Sequence, residues 1–186
     1  MVQFDWDDIV IDCGANYADL WINLSHRIKP KNYITYEPGP QEHEVIKINA
    51  PFGTHNKVAL SDRIGTTEIF MNSQNADSSL IEPETYSHII ETPVSTIDAE
   101  SDRNRIKTIK LLKLEAEGNE PEVLAGAEKT IPNIEYIALD GSPERGKKKE
   151  ETFSTIANML LKQNFTLIQV NLKLGRALFK NNIFNS

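Results

Sequence analysis

Residues Phe165 to Asn182 read FTLIQVNLKLGRALFKNN, and this segment is the most informative part of the chain about its architecture. It contains two runs that are rich in β-forming residues, separated by the short turn KLG, which is the pattern of a β-hairpin. Two strands that are joined by so short a turn must run antiparallel. We therefore predict that the last strand of the protein runs against its neighbours in the sheet.

Strand-like and helix-like segments alternate along the chain that precedes this hairpin. Glycine or proline ends the apolar runs that are typical of strands: DIVIDCG, NYITYEPGP, IKTIKLLKLEAEG and NIEYIALDGSPE. A further strand in HNKVALSD is expected to continue through the turn RIG into a hairpin with TTEIFMN. The alternation predicts an α/β fold in which helices cover both faces of a mostly parallel sheet.

Four segments have the features of helices. Apolar residues at helical spacing begin at Leu20 and continue until Pro30 stops the helix. QEHEVIKI predicts a polar helix, and an apolar stripe indicates another helix at 153–161. In NEPEVLAGA we expect Asn119 to cap the helix and Glu122 to complete a capping box. Between the regular segments, residues from about 73 to 98 are predicted to form a long irregular connection, which is often functional in a compact domain.

Length and composition indicate a single domain that spans residues 1–186. A chain of 186 residues is long enough for one sizeable core and short for two domains. Hydrophobic residues make up 39% and charged residues 25%, which is ordinary for a soluble protein. The formal net charge of −7 argues against bulk electrostatic binding to a nucleic acid, so no nucleic-acid partner is expected.

The sequence also carries predictions about the cellular location. No apolar run approaches the ~20 residues of a membrane span, and the acidic start MVQFDWDDIVID does not resemble a signal peptide. Because the single cysteine, Cys13, cannot form an internal disulfide, we expect a cytoplasmic protein without membrane contact. No basic residue accompanies Cys13 in the sequence, so we interpret its thiol as structural.

The segment IVIDCGANYADL, at 9–20, places polar residues at the end of the first predicted strand. Ligands of such sheets bind beyond the carboxyl ends of the strands. Gly14 allows a tight turn, Asn16 is a good helix cap, and Asp12 can accept a hydrogen bond from an ammonium group. Glu37 ends the second strand and follows Asp12 by 25 residues. This separation is close to the ~20 residues expected before an acid that binds ribose hydroxyls. The alternative is that Asp12 and Glu37 are ordinary polar residues at strand ends.

Several of these segments occur in the order and spacing of a known family. VIDCGAN, YEPGP, VALSDRIGTTEI, SSL, LLKLEAEGNEPEVLAGA and ALDGSPE resemble the motifs of FkbM-type methyltransferases, from about Ile9 to Glu144. The resemblance implies a Rossmann-like class I methyltransferase sandwich, with a mostly parallel seven-stranded sheet and one reversed strand near its edge. It also implies S-adenosylmethionine as the methyl donor. The acceptor would be a hydroxyl on a sugar, glycan or natural product.

The resemblance further implies which residues bind these ligands. The methionine end of the cofactor would be lined by Asp12, Gly14, Ala15 and Asn16. Glu37 would hold the ribose, and Ser61 with Asp62 would lie near the adenine. Glu115 and Glu117, which follow the fourth strand, would face the site of methyl transfer.

Three positions depart from the family pattern. Ala18 stands in place of a second glycine, Glu115 in place of an aspartate, and Asp140 in place of a glutamate. These departures leave a non-catalytic S-adenosylmethionine-binding module as an alternative function. An NAD-dependent oxidoreductase is a second alternative, because Glu37 would suit that ribose as well. However, GANYAD contains a single glycine where a G-x-G-x-x-G turn needs three.

A general base is expected to remove the proton of the acceptor hydroxyl. Glu117 and Glu115 are the first candidates, and the alternative is that either acid only interacts with the dipole of the following helix. His88 is a further candidate, for which the alternative is a lone surface histidine. The histidines are too dispersed for a zinc site, so no metal site is predicted.

Two segments are candidates for contact with the acceptor. In SSLIEPETYSH the hydroxyl groups of Ser78, Ser79 and Tyr86 are candidates, and the alternative is an unspecialised crossover. The basic run RGKKK, at 145–149, either attracts a phosphorylated or acidic acceptor or is solvated surface. Because the first strand begins within ten residues of the start, we expect an acceptor site that is open or that is closed by the middle connection or a second copy of the chain.

Overall fold

The computed structural model describes residues 2–72 and 78–184, so that 73–77, at the start of the predicted middle connection, lie outside the described residues. The strands are β1 (Val10–Cys13), β2 (Tyr33–Tyr36), β3 (Thr54–Asn56), β4 (Ala59–Leu60), β5 (Gly65–Met71), β6 (His88–Ser95), β7 (Ile109–Leu114), β8 (Ile134–Asp140), β9 (Phe165–Asn171) and β10 (Arg176–Asn181). The α-helices are α1 (Asp19–Leu24), α2 (Pro40–Asn49), α3 (Ile97–Asn104), α4 (Glu120–Ala125) and α5 (Phe153–Lys162). None of the helices in these ranges is long and apolar enough to span a membrane.

The main sheet has seven strands within the described residues, in the order β3-β2-β1-β7-β8-β10-β9. β10 is antiparallel to both of its neighbours, whereas the other pairs in this sheet are parallel. The terminal hairpin brings Asn181 opposite Phe165 and Arg176 opposite Asn171. The structure therefore confirms the predicted α/β fold with a mostly parallel seven-stranded sheet and one reversed strand next to its edge.

Apolar side chains on the two faces of the main sheet form two clusters. In β7, Leu112 belongs to one cluster and Leu111 to the other, because successive side chains of a strand face opposite sides. Leu160 of α5 is fully buried in the first cluster, and Trp21 of α1 packs into the second. Leu161, which was expected on the apolar stripe of α5, is 52% exposed.

A second sheet of three strands differs from the predicted hairpin and irregular connection. β5 pairs antiparallel with β6, and β6 pairs in parallel with β4, so the order is β4-β6-β5. The predicted hairpin between β4 and β5 is therefore wrong, because β6 lies between them. Pro93 lies within β6, but β4 pairs only with Val94 and Ser95, so the missing N–H of the proline interrupts no ladder on that side. The sequence analysis also missed α3, which begins after Thr96.

Two helix predictions are wrong in detail. α1 ends at Leu24, well before Pro30. At the start of α4, Asn119 does not cap the helix, because its side-chain amide donates instead to the carbonyl oxygen of Leu60 at 3.0 Å. The second member of the expected capping box, Glu122, is likewise engaged with a residue far away in the chain. In α4 long-range partners have replaced the local ones that the sequence pattern indicates.

Candidate active site

The carboxyl ends of β1, β2 and β7 meet at one edge of the main sheet, because β1 lies between the other two strands. A cavity of about 650 Å³, measured out to its open mouth, lies at this edge, and we call it the strand-end cavity. The polar residues that line it include Asn16, Glu37, Glu42, Glu115, Glu117 and Asn119. Its apolar lining includes Leu60 and Ile69 of the small sheet, and Leu80 of the segment that follows β5.

Gly14 holds three strand ends together. Its φ of +69° is a left-handed conformation, and a Cβ atom there would lie 1.8 Å from the carbonyl oxygen of Glu115, which follows β7. Its N–H donates to the carbonyl oxygen of Tyr36, at the end of β2, at 3.0 Å. The space beside Gly14 is therefore filled by the backbone of the protein itself.

Glu37 joins the ends of β1 and β2 through both oxygens of its carboxylate. Oε2 accepts a hydrogen bond from the N–H of Asn16 at 2.9 Å, and Oε1 accepts one from the N–H of Gly39 at 2.8 Å. Burial raises the pKa of Glu37 to about 7, and neighbouring Glu42 adds to the increase, although the two backbone N–H groups oppose it. Each carboxylate oxygen still has a lone pair available for a ligand.

Two buried acceptor atoms in the lining have no hydrogen-bond donor among the described residues. They are Oε2 of Glu42 and Oδ1 of Asn16. A Cβ atom at Gly39 would lie 2.2 Å from Glu42 Oε2 and 2.9 Å from Glu37 Oε1, so this glycine lets two carboxylates converge. The sequence analysis missed Glu42, although an acid in the first turn of a helix at this edge was a usable signal. Because unsatisfied buried acceptors are costly, the cavity suits a ligand that donates hydrogen bonds.

Asp12 contacts a partly buried lysine and a buried tyrosine, and it is not among the residues that line the cavity. Its carboxylate accepts a hydrogen bond from the hydroxyl of Tyr33 and lies 3.2 Å from Nζ of Lys113. Burial raises the pKa of Asp12, and Lys113 opposes this effect. Burial also disfavours the charge of Lys113, but Asp12 and Glu115 outweigh it and raise the lysine pKa. Lys113 was not predicted as a site residue, although a lysine near the end of β7, just before the cavity edge, was a usable signal.

Glu115 and Glu117 both follow β7, which ends at Leu114, so strand alternation does not place them on a common side. Glu115 pairs with Lys113 at 2.7 Å. The carbonyl oxygen of Glu117 accepts a hydrogen bond from Oγ of Ser79 at 2.7 Å. Both glutamates line the strand-end cavity.

Several residues near the cavity adopt left-handed backbone conformations that are unusual without glycine. They include Asn16 with a φ of 49°, Ala18 with 61° and Glu117 with 49°. Such residues cost about 1–2 kcal/mol each, and strained backbone is concentrated at functional sites. Ala18 stands where the resemblance expects glycine, and it keeps a conformation that glycine adopts without strain.

The remaining predicted site residues divide between this cavity and its surroundings. Ser78 lines the cavity, whereas Ala15 is buried in the cluster that contains Trp21. The residues predicted near adenine or the acceptor but absent from the lining are Ser61, Asp62, Ser79 and Tyr86. Ser61 donates its N–H to the carbonyl of Ser95, Asp62 pairs with Arg63 at 3.3 Å, and the ring of Tyr86 packs edge-on against Phe70.

The sequence also singled out a cysteine, a histidine and an arginine, and their surroundings differ. Burial raises the pKa of Cys13, which disfavours a reactive thiolate. His88 is exposed on β6, opposite Met71. Arg145 pairs with Glu122 at 2.6 Å. Among the residues that the structure describes, no group of three or more His, Cys, Asp or Glu is arranged to hold a metal ion.

Comparisons with known proteins identify what the chain is similar to. A family model described as "Methyltransferase FkbM domain" matches residues 12–167. A methyltransferase FkbM from Methylobacillus flagellatus KT superposes with a TM-score of 0.64 at 15% identity, over 97% of this chain and 45% of that one. An rRNA methylase from Streptococcus thermophilus superposes with a TM-score of 0.52 at 11% identity, over 96% of this chain and 90% of that one. The chain thus spans less than half the length of the first of these neighbours, and no curated protein sequence matches it significantly.

Proposed function

The chain belongs to the FkbM methyltransferase domain family, and on this premise we propose that it transfers a methyl group from S-adenosylmethionine to a hydroxyl oxygen. The observation that carries the proposal is the pair of unpartnered acceptor atoms, on Asn16 and Glu42, beside the buried carboxylate of Glu37. S-adenosylmethionine carries two positive charges, two ribose hydroxyls and an adenine amino group, all of which suit a lining rich in acceptors. When bound, it supplies an activated methyl group on a sulfonium centre.

Each part of the lining has a proposed role toward this cofactor. Glu37 and Glu42 would accept hydrogen bonds from the ribose hydroxyls, and Asn16 would bind the amino-acid end. The apolar surface of Leu60 and Ile69 suits the adenine ring better than Ser61 and Asp62, which do not line the cavity. Asp12 would act through Lys113, by fixing the ends of β1 and β7.

The remaining task of the protein is to align an acceptor hydroxyl and to take its proton in a site that excludes water. Glu115 is held in an ion pair with Lys113, which restricts its approach to an acceptor. Glu117 lines both this cavity and a neighbouring cleft, whose described lining does not include Glu115. The glutamates predicted from the sequence therefore differ in suitability, and Glu117 is better placed than Glu115 to contact the acceptor.

The cofactor assignment is tested by comparing S-adenosylhomocysteine with NAD in thermal unfolding and calorimetric titration. We expect S-adenosylhomocysteine to raise the melting temperature and NAD to leave it unchanged, because ligands stabilise the state that they bind. Stabilisation by NAD alone would support an oxidoreductase. Binding of S-adenosylhomocysteine without turnover of any hydroxyl acceptor would support a non-catalytic module, and binding of neither ligand would refute the proposal.

A further inference from the structure

We propose that a second cleft beside the strand-end cavity binds the methyl acceptor, that this acceptor is uncharged and rich in hydroxyl groups, as a neutral sugar is, and that Glu144 accepts its proton. The inference rests on the proposed function, because the second cleft has this meaning only if the strand-end cavity holds the methyl donor. We call the second cleft the acceptor cleft.

The acceptor cleft lies between two loops that are far apart in the sequence. It holds about 290 Å³ of space and is lined by residues of 79–85 on one side and of 143–149 on the other. Nζ of Lys147 and Oε1 of Glu82, which are 2.7 Å apart, connect the two loops. Glu117 lines both the acceptor cleft and the strand-end cavity. Glu117 is therefore common to the proposed donor and acceptor sites.

Both loops make hydrogen bonds to Glu117 or to residues that follow it in the chain. From the first loop, Oγ of Ser79 donates to the carbonyl oxygen of Glu117 at 2.7 Å. From the second, the guanidinium of Arg145 donates to the carbonyl oxygen of Gly118 and to both carboxylate oxygens of Glu122. These contacts fix the boundary between donor and acceptor, and fixed geometry is what methyl transfer requires of the protein.

The charges of the lining select against an acidic acceptor. Glu84, Glu117 and Glu144 line the cleft, and Lys149 is the cation in its described lining. A phosphate or carboxylate would meet several like charges, whereas hydroxyl groups can donate to these carboxylates. Arg145, which the basic run RGKKK offered as a site for an anion, is engaged by Glu122. The cleft therefore suits a neutral polyhydroxylated acceptor.

Glu144 has the surroundings of a proton acceptor. Its Oε1 lies 2.7 Å from Oγ of Ser142, which also lies 2.9 Å from Oδ1 of Asp140. Arg176 donates to the other oxygen of Asp140 at 2.6 Å. Burial raises the pKa of Glu144, and the charges of Asp140, Glu120 and Glu115 add to this, although the hydroxyl of Ser142 opposes it. A glutamate whose pKa is raised takes a proton more readily at neutral pH than an exposed one.

The proposed transfer needs S-adenosylmethionine, the acceptor and Glu144, and no other reactant. The acceptor oxygen would bond to the methyl carbon of S-adenosylmethionine, and the bond between that carbon and sulfur would break with its electron pair remaining on sulfur. The hydroxyl proton passes to the carboxylate of Glu144 and leaves to water when the products depart. The products are the methyl ether and S-adenosylhomocysteine.

Acceptor binding is tested on the full chain saturated with S-adenosylhomocysteine, by saturation-transfer NMR. The probes are the methyl glycosides of glucose, mannose, galactose and rhamnose, with methyl glucuronide as the charged counterpart of methyl glucoside. We expect at least one neutral glycoside to bind, and the glucuronide to bind at least tenfold more weakly than methyl glucoside. Thr85→Trp, at an exposed position in the cleft, should abolish glycoside binding and leave S-adenosylhomocysteine affinity unchanged. No binding by any neutral glycoside, equal binding of the glucuronide, or binding that survives Thr85→Trp would overturn the cleft assignment.

The role of Glu144 is tested by turnover of S-adenosylmethionine with a glycoside that binds. Glu144→Gln should lower kcat by about 100-fold or more and leave the affinity for S-adenosylhomocysteine unchanged. It should also remove the fall of kcat at low pH. Glu135→Gln removes a carboxylate of similar exposure from the opposite end of β8 and should keep full activity. Full activity of Glu144→Gln would exclude it as the proton acceptor. Failure of the wild-type chain to bind S-adenosylhomocysteine would instead refute the proposed function itself.

Discussion

Oε2 of Glu37 lies 2.9 Å from the backbone nitrogen of Asn16, and this hydrogen bond joins the ends of two neighbouring parallel strands. The same carboxylate accepts from the N–H of Gly39 through its other oxygen. Glu37 thus holds the turn that shapes the strand-end cavity, and its remaining lone pairs are available to the proposed cofactor. Its structural and its proposed ligand-binding roles are separable by experiment.

Replacement of Glu37 is expected to weaken binding of the cofactor product. Glu37→Ala should lower the affinity for S-adenosylhomocysteine by about 1–3 kcal/mol, as for a lost hydrogen bond to a charged group. Calorimetric titration measures the change. Glu44→Ala, at an exposed position of α2, serves as the control and should bind normally. Unchanged affinity of Glu37→Ala would remove Glu37 from the binding site.

The raised pKa of Glu37 predicts a dependence of stability on pH. Because the folded-state pKa of about 7 lies above the ordinary value of 4.5, the folded protein binds the proton more tightly than the unfolded chain does. The stabilising contribution is therefore complete below about pH 4.5 and is lost as the pH rises through 7. The loss amounts to roughly 3 kcal/mol. Urea unfolding of the ligand-free wild type and of Glu37→Gln should show the wild type losing stability relative to the variant between pH 5 and pH 8, and a constant difference would contradict the prediction.

Addition of a methyl group at Gly14 is expected to disrupt the contact between β1 and β7. Gly14→Ala should reduce the free energy of unfolding by about 2–4 kcal/mol, because it combines a left-handed φ with a Cβ atom placed against the carbonyl of Glu115. Gly146→Ala is the matched control, since Gly146 has a similar φ of +65° and a Cβ atom there would lie 3.3 Å from a methyl carbon of Ile81, which belongs to a side chain that can move. Denaturant unfolding separates the two. Equal losses would show that backbone conformation alone, and not the close approach, accounts for the effect.

Removal of the Lys113 ammonium is expected to leave Asp12 buried without its charged partner. Lys113→Met should destabilise the protein by about 3–5 kcal/mol, the range for breaking one side of a buried ion pair. Lys47→Met breaks the pair with Glu44, in which both side chains are exposed, and should cost at most about 1 kcal/mol. Both values come from urea unfolding. Adding Asp12→Asn to Lys113→Met should recover part of the loss, and a further loss instead would show that the charge of Asp12 is not the cause.

Much of the fold follows from local patterns that need no knowledge of distant residues. Apolar runs that end at glycine or proline located β1, β2, β7 and β8, and the short turn at KLG was enough to require an antiparallel last strand. The placement of Gly14 and Glu37 at neighbouring strand ends also followed, because parallel strands carry their carboxyl ends to one edge. Strand β6 was not predicted, because Pro93 breaks the local strand pattern. Its pairing with both β4 and β5 depends on residues elsewhere in the chain.

The sequence by itself therefore determined four parallel strands of the main sheet, the reversed last strand, the family motifs and the edge at which the cavity forms. Only the tertiary structure decided that the side chain of Asn119 donates to the carbonyl oxygen of Leu60 instead of capping its helix. It also decided that Lys113 pairs with Asp12, and that Oε2 of Glu42 has no donor among the described residues. It alone brought Glu144 to a cleft shared with Glu117. The physical reason is that strand and turn preferences are set by neighbours in the chain, whereas burial, charge pairing and an unsatisfied acceptor depend on groups that meet only when the chain has folded.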